Sequence, residues 1–251
     1  MKKFLIVGNW KMNKTISDSL EIIRSLKKTI SNADGNIEIV VCPPFTALHT
    51  VNGEIKNSNI NLGAQNLFWK TEGAFTGEIS PLMIKDVGCT YVLIGHSERK
   101  QYFGESDNNI NKKINAAFSA GLIPILCIGE TLEEREKNMT FDVIKKQLTL
   151  ALSNLTEKSA SLVVIAYEPV WAVGTGNIAT LDQIQNVHSF IKKTYSKMYK
   201  SVIRSARIIY GGSINLNNIS NFVGASNVDG ILVGSASLEI EVFTKIIEYF
   251  M

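Results

Sequence analysis

Three side chains that are typical of acid–base chemistry each follow a short apolar run of the sequence. Lys11 follows the first run, His96 follows a run in the middle of the chain, and Glu168 closes a later one. A carboxylate can take a proton, an imidazole can polarise a carbonyl oxygen, and an ammonium group can neutralise an anion. Together they would form a candidate site for acid–base chemistry on a carbonyl compound.

Glu168 ends the segment LVVIAYE and is followed at once by Pro169. A proline disfavours helical geometry in the residue before it, so Glu168 is expected to be extended and rigidly held. A glutamate that caps a helix or forms a salt bridge is the ordinary alternative. The apolar run before it and the Gly-containing loop after it favour a general base.

His96 comes directly before SERK, which has the pattern of a helix start. The positive end of a helix dipole disfavours a charged imidazole, and a neutral imidazole still donates a hydrogen bond to a carbonyl oxygen that gains charge. A histidine that merely caps the helix is the alternative. The other two histidines, His49 and His188, fit structural roles.

Lys11 lies in GNWKMNK, close to Asn9 and just after the first apolar run. Most lysines are solvated at the surface. This position nevertheless favours an inward cation that neutralises a phosphate or a developing oxyanion, and Asn9 could orient either group.

Two Gly-rich turns, GGS (211–213) and VGSAS (233–237), each precede a candidate helix. Backbone N–H groups at such turns bind phosphate, although glycines also simply form turns. Two such turns in consecutive units favour an anion site. Metal binding is not expected, because the sequence has no HxH, HExxH or acidic ligand cluster.

Short, continuous apolar runs alternate with helical patterns, and these elements must position the candidate residues. The runs are 4–8, 37–42, 60–64, 91–95, 123–129, 162–168, 207–212 and 229–234; helical patterns include 17–30, 108–121, 140–155 and 180–195. Thr180 is a candidate N-cap, and the glycine of SAG, before the fifth run, is a candidate helix C-cap. Eight such units predict an α/β fold, a single (β/α)8 barrel over residues 1–251 with a parallel eight-stranded core. The candidate residues then meet at the carboxyl ends of the strands, where such barrels carry their sites.

A doubly wound open sheet is the alternative fold. That fold usually has a Gly-rich dinucleotide fingerprint after an early strand, and GNWKMNK is not one. The barrel is therefore favoured.

Composition points to a cytoplasmic protein without nucleic-acid or membrane partners. The chain has 251 residues, 45% of them hydrophobic, and a formal net charge of +3 with no dense basic tract. No apolar run is long enough to span a membrane, and the start of the chain does not resemble a signal peptide. Cys42, Cys89 and Cys127 are widely spaced, which predicts buried free thiols in a reducing compartment.

A long connection, residues 64–80, departs from the short loops expected between barrel units. It carries Phe68, Trp69 and Phe75. The aromatic side chains could pack within the loop itself. A subunit interface is favoured, since connections of this length are usually functional.

The motifs of the chain, taken in order and spacing, resemble those of the triosephosphate isomerase family from end to end. They are GNWKMN (8–13), AQN (64–66), GAFTGEIS (73–80), IGHSERK (94–100), CIGE (127–130), AYEPVWAVGTG (166–176), YGGS (210–213) and GILVG (230–234). The family is the standard example of a neutral electrophilic histidine, so that expectation for His96 is not independent of the resemblance.

The resemblance implies a TIM barrel that interconverts D-glyceraldehyde 3-phosphate and dihydroxyacetone phosphate, in glycolysis and gluconeogenesis, without a cofactor or metal. It implies that Glu168 is the base and His96 the electrophile. Lys11 and Asn9 match the substrate-binding pair, Glu98 a supporting acid, and the phosphate-binding positions are Gly174, Ser213, Gly234 and Ser235.

The resemblance also implies a lid and a homodimer. The segment PVWAVGTG would close over the site, with Pro169 at one hinge, Gly174 to Gly176 at the other, and Trp171 and Val173 as a stiff apolar tip. Phe75 and Thr76 lie in the loop that enters the partner subunit's active-site region in this family.

Two departures from the family pattern stand near the phosphate positions. Ser235 replaces a common glycine, which would cost about 1 kcal/mol or somewhat more if that position needs a positive φ. INLNN (214–218) replaces a common lysine–proline segment and is expected to be surface with little effect on chemistry.

Two other functions remain as alternatives at this point. A Schiff-base aldolase would need a desolvated lysine in mid-barrel, and the predicted strands contain none. A non-catalytic phosphate-binding barrel would be expected to lose Lys11, His96 or Glu168, and all three are present.

Overall fold

The protein is a closed barrel of eight parallel strands in a computed structural model that describes residues 3–30, 36–172, 177–203 and 205–251. The strands are β1 (Phe4–Asn9), β2 (Ile37–Cys42), β3 (Ile60–Ala64), β4 (Tyr91–Ile94), β5 (Ile123–Ile128), β6 (Val164–Tyr167), β7 (Arg207–Tyr210) and β8 (Gly230–Val233). Each strand pairs with the next in sequence, and β8 closes the barrel on β1 with Leu5 opposite Gly230. The predicted (β/α)8 barrel is confirmed, and the open sheet is excluded.

Helices cover the outside of the barrel between consecutive strands. They are α1 (Ile16–Ile30), α2 (Phe45–Ile55), α3 (Pro81–Asp86), α4 (Ser97–Phe103), α5 (Asp107–Ser119), α6 (Leu132–Glu136), α7 (Thr140–Ala151), α8 (Glu157–Ala160), α9 (Leu181–Met198) and α10 (Ile240–Glu248). Between β7 and β8 the described structure has a short 3₁₀ helix, Ile219–Phe222, instead. As expected, Thr180 caps α9, and its capping box is completed by Gln183. Gly121, at φ 70°, follows the end of α5.

Alternating side chains divide the interior into two cores, because successive residues of a strand point to opposite faces. Leu5 and Val7 point into the barrel with Ile125, Ala166 and similar residues. Ile6 points outward and packs under the helices. Burial on both faces explains why the strands read as continuous apolar runs.

β4 to β8 end earlier than their apolar runs suggest, whereas β1 continues to Asn9 and β2 and β3 end as predicted. β6 stops at Tyr167, so Glu168 is the first residue beyond it. At its amino end β6 begins only at Val164, and Leu162, which the apolar run included, is half exposed. β4 stops at Ile94 because Gly95, at φ 75°, turns the chain toward α4. The residues just past these ends form the rim that holds the site.

Candidate active site

One cavity of about 680 Å³ opens at the carboxyl ends of the strands. It collects residues from the loops after β1, β4, β6, β7 and β8. The sequence-predicted residues that line it are Asn9, Lys11, His96, Glu168, Ser213, Gly234 and Ser235.

Glu168 presents a buried carboxylate to this cavity. The residue is only 2% exposed, and its backbone is held by a 2.7 Å hydrogen bond from its N–H to the carbonyl of Ile128. Ser97 N–H donates to Oε2 at 3.4 Å. Oε1 lies 3.4 Å from His96 Nε2 and has no hydrogen-bond partner among the described residues. One carboxylate oxygen is therefore available to accept a proton.

His96 is the N-cap of α4, and its side-chain contacts define its tautomer. The backbone N–H of Glu98 donates to Nδ1 at 3.2 Å, so Nδ1 acts as an acceptor. The proton of the neutral ring is thereby assigned to Nε2, the nitrogen on the Glu168 side. In this tautomer His96 directs an N–H donor toward the Glu168 side of the cavity.

Lys11 stands in a left-handed backbone conformation at φ 55°, which costs a residue with a side chain roughly 1–2 kcal/mol. Two side chains hold it there: Asn9 Oδ1 accepts from Lys11 N–H at 3.1 Å, and Gln65 Nε2 donates to its carbonyl at 2.8 Å. Lys11 Nζ forms an ion pair of 2.6 Å with Glu98 Oε1. Strain of this kind is concentrated at functional sites.

The Gly-rich turns approach the charged residues closely. A Cβ on Gly211 would lie 2.7 Å from Glu168 Cγ, and one on Gly234 would lie 3.9 Å from Lys11 Nζ. Ser235 begins a 3₁₀ helix, Ser235–Leu238, and is not among the residues with positive φ. The strain considered for this serine therefore does not arise.

The prediction that INLNN (214–218) lies at the surface is wrong for Ile214 and Asn218, which are buried, whereas Asn217 is exposed. GGS does not lead directly into a helix, since the following 3₁₀ helix begins at Ile219. Asn218 is 6% exposed, accepts from Asn215 N–H at 2.9 Å, and donates to the carbonyl of Ser213 at 2.9 Å. These side chains compete with the helical backbone for its hydrogen bonds and form turns instead. The asparagines thus hold the turn that carries Ser213.

The first part of the predicted lid rests on Glu130, which is fully buried. Trp171 Nε1 donates to Glu130 Oε1 at 2.9 Å, and the hydroxyl of Tyr167 donates to Oε2 at 3.1 Å. The Arg135 guanidinium lies 4.4 Å from the centroid of the Trp171 ring. In this structure Pro169 therefore lies between the candidate base, Glu168, and Trp171, whose indole is hydrogen-bonded to Glu130.

Further along the predicted lid, Ala172 contacts a residue of the cavity. Ser213 donates its hydroxyl to the carbonyl of Ala172 at 2.6 Å, so it contacts the lid segment as well as the cavity. Val173, Gly174 and Gly176 lie outside the described residues.

The three cysteines are free and buried, as predicted. Burial raises the pKa of the Cys127 thiol well above its usual range, and the neighbouring Glu168 carboxylate raises it further. The thiol is therefore neutral beneath the candidate base and adds no second negative charge there.

Sequence reasoning missed Glu130 and Gln65 as parts of this site. Both lie in quoted motifs, CIGE and AQN, but neither was given a role. The available signal was position, since Glu130 follows β5 and Gln65 follows β3 at the same rim.

Within the described ranges, no three His, Cys, Asp or Glu side chains are grouped so that they could hold a metal ion. No helix in the described part of the chain is both long and apolar enough to cross a membrane.

The closed barrel and its rim define a class: a (β/α)8 enzyme whose candidate site combines a buried carboxylate, an imidazole and a lysine. A family model described as triosephosphate isomerase matches residues 4–250. The chain is 58% identical over 249 residues to a triosephosphate isomerase of Endomicrobium trichonymphae, and 48% identical over 250 residues to one of Geotalea uraniireducens; each match covers 99% of both chains. A crystal structure of triosephosphate isomerase from Bartonella henselae superimposes with a TM-score of 0.89 at 36% identity, covering 99% of each chain.

The chain belongs to the triosephosphate isomerase family, and it is an isomerase, as its sequence predicted. The alternative of a non-catalytic barrel is not favoured by these relatives.

Proposed function

We propose that the chain interconverts D-glyceraldehyde 3-phosphate and dihydroxyacetone phosphate, and that Glu168, His96 and Lys11 carry the reaction. One observation supports this assignment above the others. A buried carboxylate oxygen without a hydrogen-bond partner among the described residues faces His96 Nε2 at 3.4 Å in the cavity that Lys11 also lines.

In the proposed mechanism, Glu168 removes the proton from the carbon beside the carbonyl. The N–H of His96 Nε2 and the ammonium group of Lys11 stabilise the charge that develops on the oxygen of the enediol(ate). The hydroxyl proton of the enediol(ate) passes to the former carbonyl oxygen, so that the carbonyl group now lies on the neighbouring carbon, and Glu168 returns its proton to the original carbonyl carbon. A positioned base contributes about 10²–10⁴-fold, and each donor to a developing oxyanion is worth roughly 3–4 kcal/mol.

Substrate phosphate is proposed to bind at the turns after β7 and β8. Gly234 and Ser235 would supply backbone N–H groups, with Ser213 and Gly174 completing the site. Lys11 lies next to Gly234, so one cation would serve both the phosphate and the reacting oxygen. The Asn9 side chain supports Lys11 by accepting a hydrogen bond from the Lys11 backbone N–H.

Glu98 is proposed to hold the Lys11 ammonium group until substrate arrives. Its Oε1 pairs with Lys11 Nζ at 2.6 Å, and its backbone N–H fixes the His96 ring. A partly exposed ion pair contributes little to stability, so exchanging it for substrate costs little.

The segment from Pro169 to Gly176 is proposed to close over bound substrate. An enediolate beside a phosphate can expel that phosphate in open water, so the site must close and later reopen. The anchoring of Trp171 on Glu130 supports a defined hinge at the Pro169 end.

The proposed function is tested by turnover of D-glyceraldehyde 3-phosphate to dihydroxyacetone phosphate by purified protein, with EDTA and no added cofactor. Rapid turnover is the expected result. Absence of turnover by folded protein would overturn the proposal, whereas a product trapped on a lysine by borohydride would point to the aldolase alternative. The eight strands contain no lysine, which speaks against that alternative.

Ser235→Gly is expected to raise KM for substrate by less than about threefold. Serine and glycine offer the same backbone N–H, and Ser235 is not among the residues with positive φ, so both residues fit. Steady-state kinetics and competitive inhibition by inorganic phosphate provide the measurement. A rise of about 10-fold or more would mean that the serine hydroxyl itself binds the phosphate.

We also propose that the chain works as a homodimer in the cytoplasm, with the loop that carries Phe75 and Thr76 docking beside the partner's active site. The loop is pinched at its base by a 2.8 Å hydrogen bond from Phe68 N–H to Ile79 carbonyl, and Phe68 packs against Trp69 and Phe75. It is therefore packed on its own aromatics, yet Phe75 stays 42% exposed.

A second pocket of about 200 Å³ lies beside Lys11 and supports this proposal, because the partner's loop could dock there. Met12 and Phe103 line it and are 94% and 68% exposed. Apolar side chains exposed to this degree beside a pocket mark an interaction surface. Glu98 also lines this pocket, so docking there would reach the Lys11–Glu98 pair.

Phe75→Asp is expected to raise the dimer dissociation constant by about 30-fold or more, because an aromatic anchor contributes ~2 kcal/mol or more at an interface. Sedimentation velocity over a range of concentrations measures the effect. Leu150→Asp on α7 is the matched control, since Leu150 is 43% exposed and lies outside the proposed interface. If both variants dissociate equally, or neither does, Phe75 is not an interface anchor.

A further inference from the structure

The side chain of Gln147, on α7, forms two hydrogen bonds to one residue, Gly129. Gly129 N–H donates to Gln147 Oε1 at 2.9 Å, and Gln147 Nε2 donates to the carbonyl of Gly129 at 3.0 Å. The amide of Gln147 thus pairs with Gly129 in the way that a neighbouring strand would.

The barrel itself does not supply this pairing. The ladder between β4 and β5 ends at Ile94 opposite Leu126, because Gly95 turns the chain away into α4. Gly129 lies beyond that point, and its backbone groups would otherwise lack a β4 partner. Gln147 replaces the missing strand at this position.

Gly129 in turn touches the backbone of the base. A Cβ at Gly129 would lie 1.8 Å from the carbonyl oxygen of Glu168 and 3.3 Å from Pro169 N. On either side of this contact, Glu168 N–H donates to Ile128 and Val170 N–H donates to Glu130, at 2.7 and 3.0 Å. A shift of the Gly129 peptide is therefore passed directly to Glu168 and to the hinge at Pro169.

We propose that Gln147 is a positioning residue for the isomerase reaction. By holding the Gly129 peptide with two hydrogen bonds, Gln147 fixes the position of the Glu168 carboxylate. This inference rests on the proposed role of Glu168 as the base. Gln147 does not line the cavity of about 680 Å³, so it acts through Gly129 and not on substrate.

The effect of the clamp is expected on kcat more than on KM. The phosphate turns after β7 and β8 lie on other strands, so phosphate binding is retained when Gly129 shifts. A displacement of the base by a fraction of an ångström is expected to lower kcat by about 10-fold.

The experiment compares Gln147→Leu, which keeps the size of the side chain but removes both hydrogen bonds, with the unchanged chain. The expected result is a kcat lower by about 10-fold, a KM within about twofold, and a larger deuterium isotope effect on kcat with substrate deuterated at the reacting carbon. A misplaced base makes proton transfer more rate-limiting. A loss of folded protein alone would leave the isotope effect unchanged.

Asn111→Leu is the matched control. Asn111, on α5, also clamps backbone, donating to the carbonyls of Ala151 and Ser153 at 2.9 and 3.1 Å, and it lies outside the site. It is expected to lower Tm as Gln147→Leu does, with kcat and the isotope effect unchanged. If Gln147→Leu does not fold, Gln147→Glu keeps the acceptor for Gly129 N–H and is expected to show an intermediate kcat.

The inference is overturned if kcat and the isotope effect of the Gln147 variants match those of Asn111→Leu. Failure of the proposed function is distinguishable, since the unchanged chain would then show no isomerase turnover.

Discussion

Glu168→Asp is expected to lower kcat by about 10²-fold or more, with the protein still folded and KM little changed. The shorter side chain withdraws the carboxylate by about 1 Å, and a misplacement of that size costs on this order. The backbone cannot follow the shorter side chain, because Glu168 N–H is bonded to Ile128 and its carbonyl is packed against Gly129.

Steady-state kinetics in both directions of the reaction measure this loss. Glu133→Asp on α6 is the matched control, because the Glu133 side chain is 77% exposed and lies at the helix surface. It is expected to keep the kcat of the unchanged chain. A near-normal rate for Glu168→Asp would remove Glu168 as the base.

Gly211→Ala is expected to lower kcat by about 10²-fold through the same carboxylate. The added Cβ would lie 2.7 Å from Glu168 Cγ, closer than real Cβ contacts allow, and 3.4 Å from Oε1. Gly211 does not have a positive φ, so its backbone accepts alanine and the clash falls on the base. Displacing the carboxylate by about 1 Å produces a loss of this size.

Gly53→Ala is the control for this second prediction, since Gly53 lies in α2 and an added Cβ meets nothing within 4 Å. It is expected to leave kcat unchanged and to raise Tm slightly. The double variant Glu168→Asp with Gly211→Ala should lose less than the product of the two single effects, because both act on one carboxylate. Full additivity would show that Gly211 acts elsewhere.

Much of the site could be predicted because, in a parallel barrel, the order of the strands in the sequence determines which loops lie at the same rim. Residues just past the carboxyl ends of strands meet at one rim, so a lysine, a histidine and a glutamate far apart in sequence were expected together. Lys11, His96 and Glu168 do line one cavity. Pro169 and the glycines of the turns also predict local backbone conformation, which does not depend on packing.

The rest depended on contacts between distant elements. Glu130, Gln65 and Gln147 are ordinary polar residues in sequence, and each has its role only through a partner that another element supplies. The turn at Asn218 is an exception, because its hydrogen bonds are made with Asn215 and Ser213 of its own loop. The predicted carboxyl ends of β4 to β8 lie too far along the chain because apolar runs do not record where a neighbouring strand stops.

The sequence by itself determined the closed barrel, the order of its units, the family and the chemical types at the rim. These follow from apolar periodicity, turn residues and motif spacing, which are local properties. Only the tertiary structure decided which atoms face each other: Glu168 Oε1 toward His96 Nε2, Lys11 against Gly234, and Gln147 on Gly129. The physical reason is that hydrogen bonds and close packing act over a few ångströms between residues far apart in the chain, and local patterns carry no record of those distances.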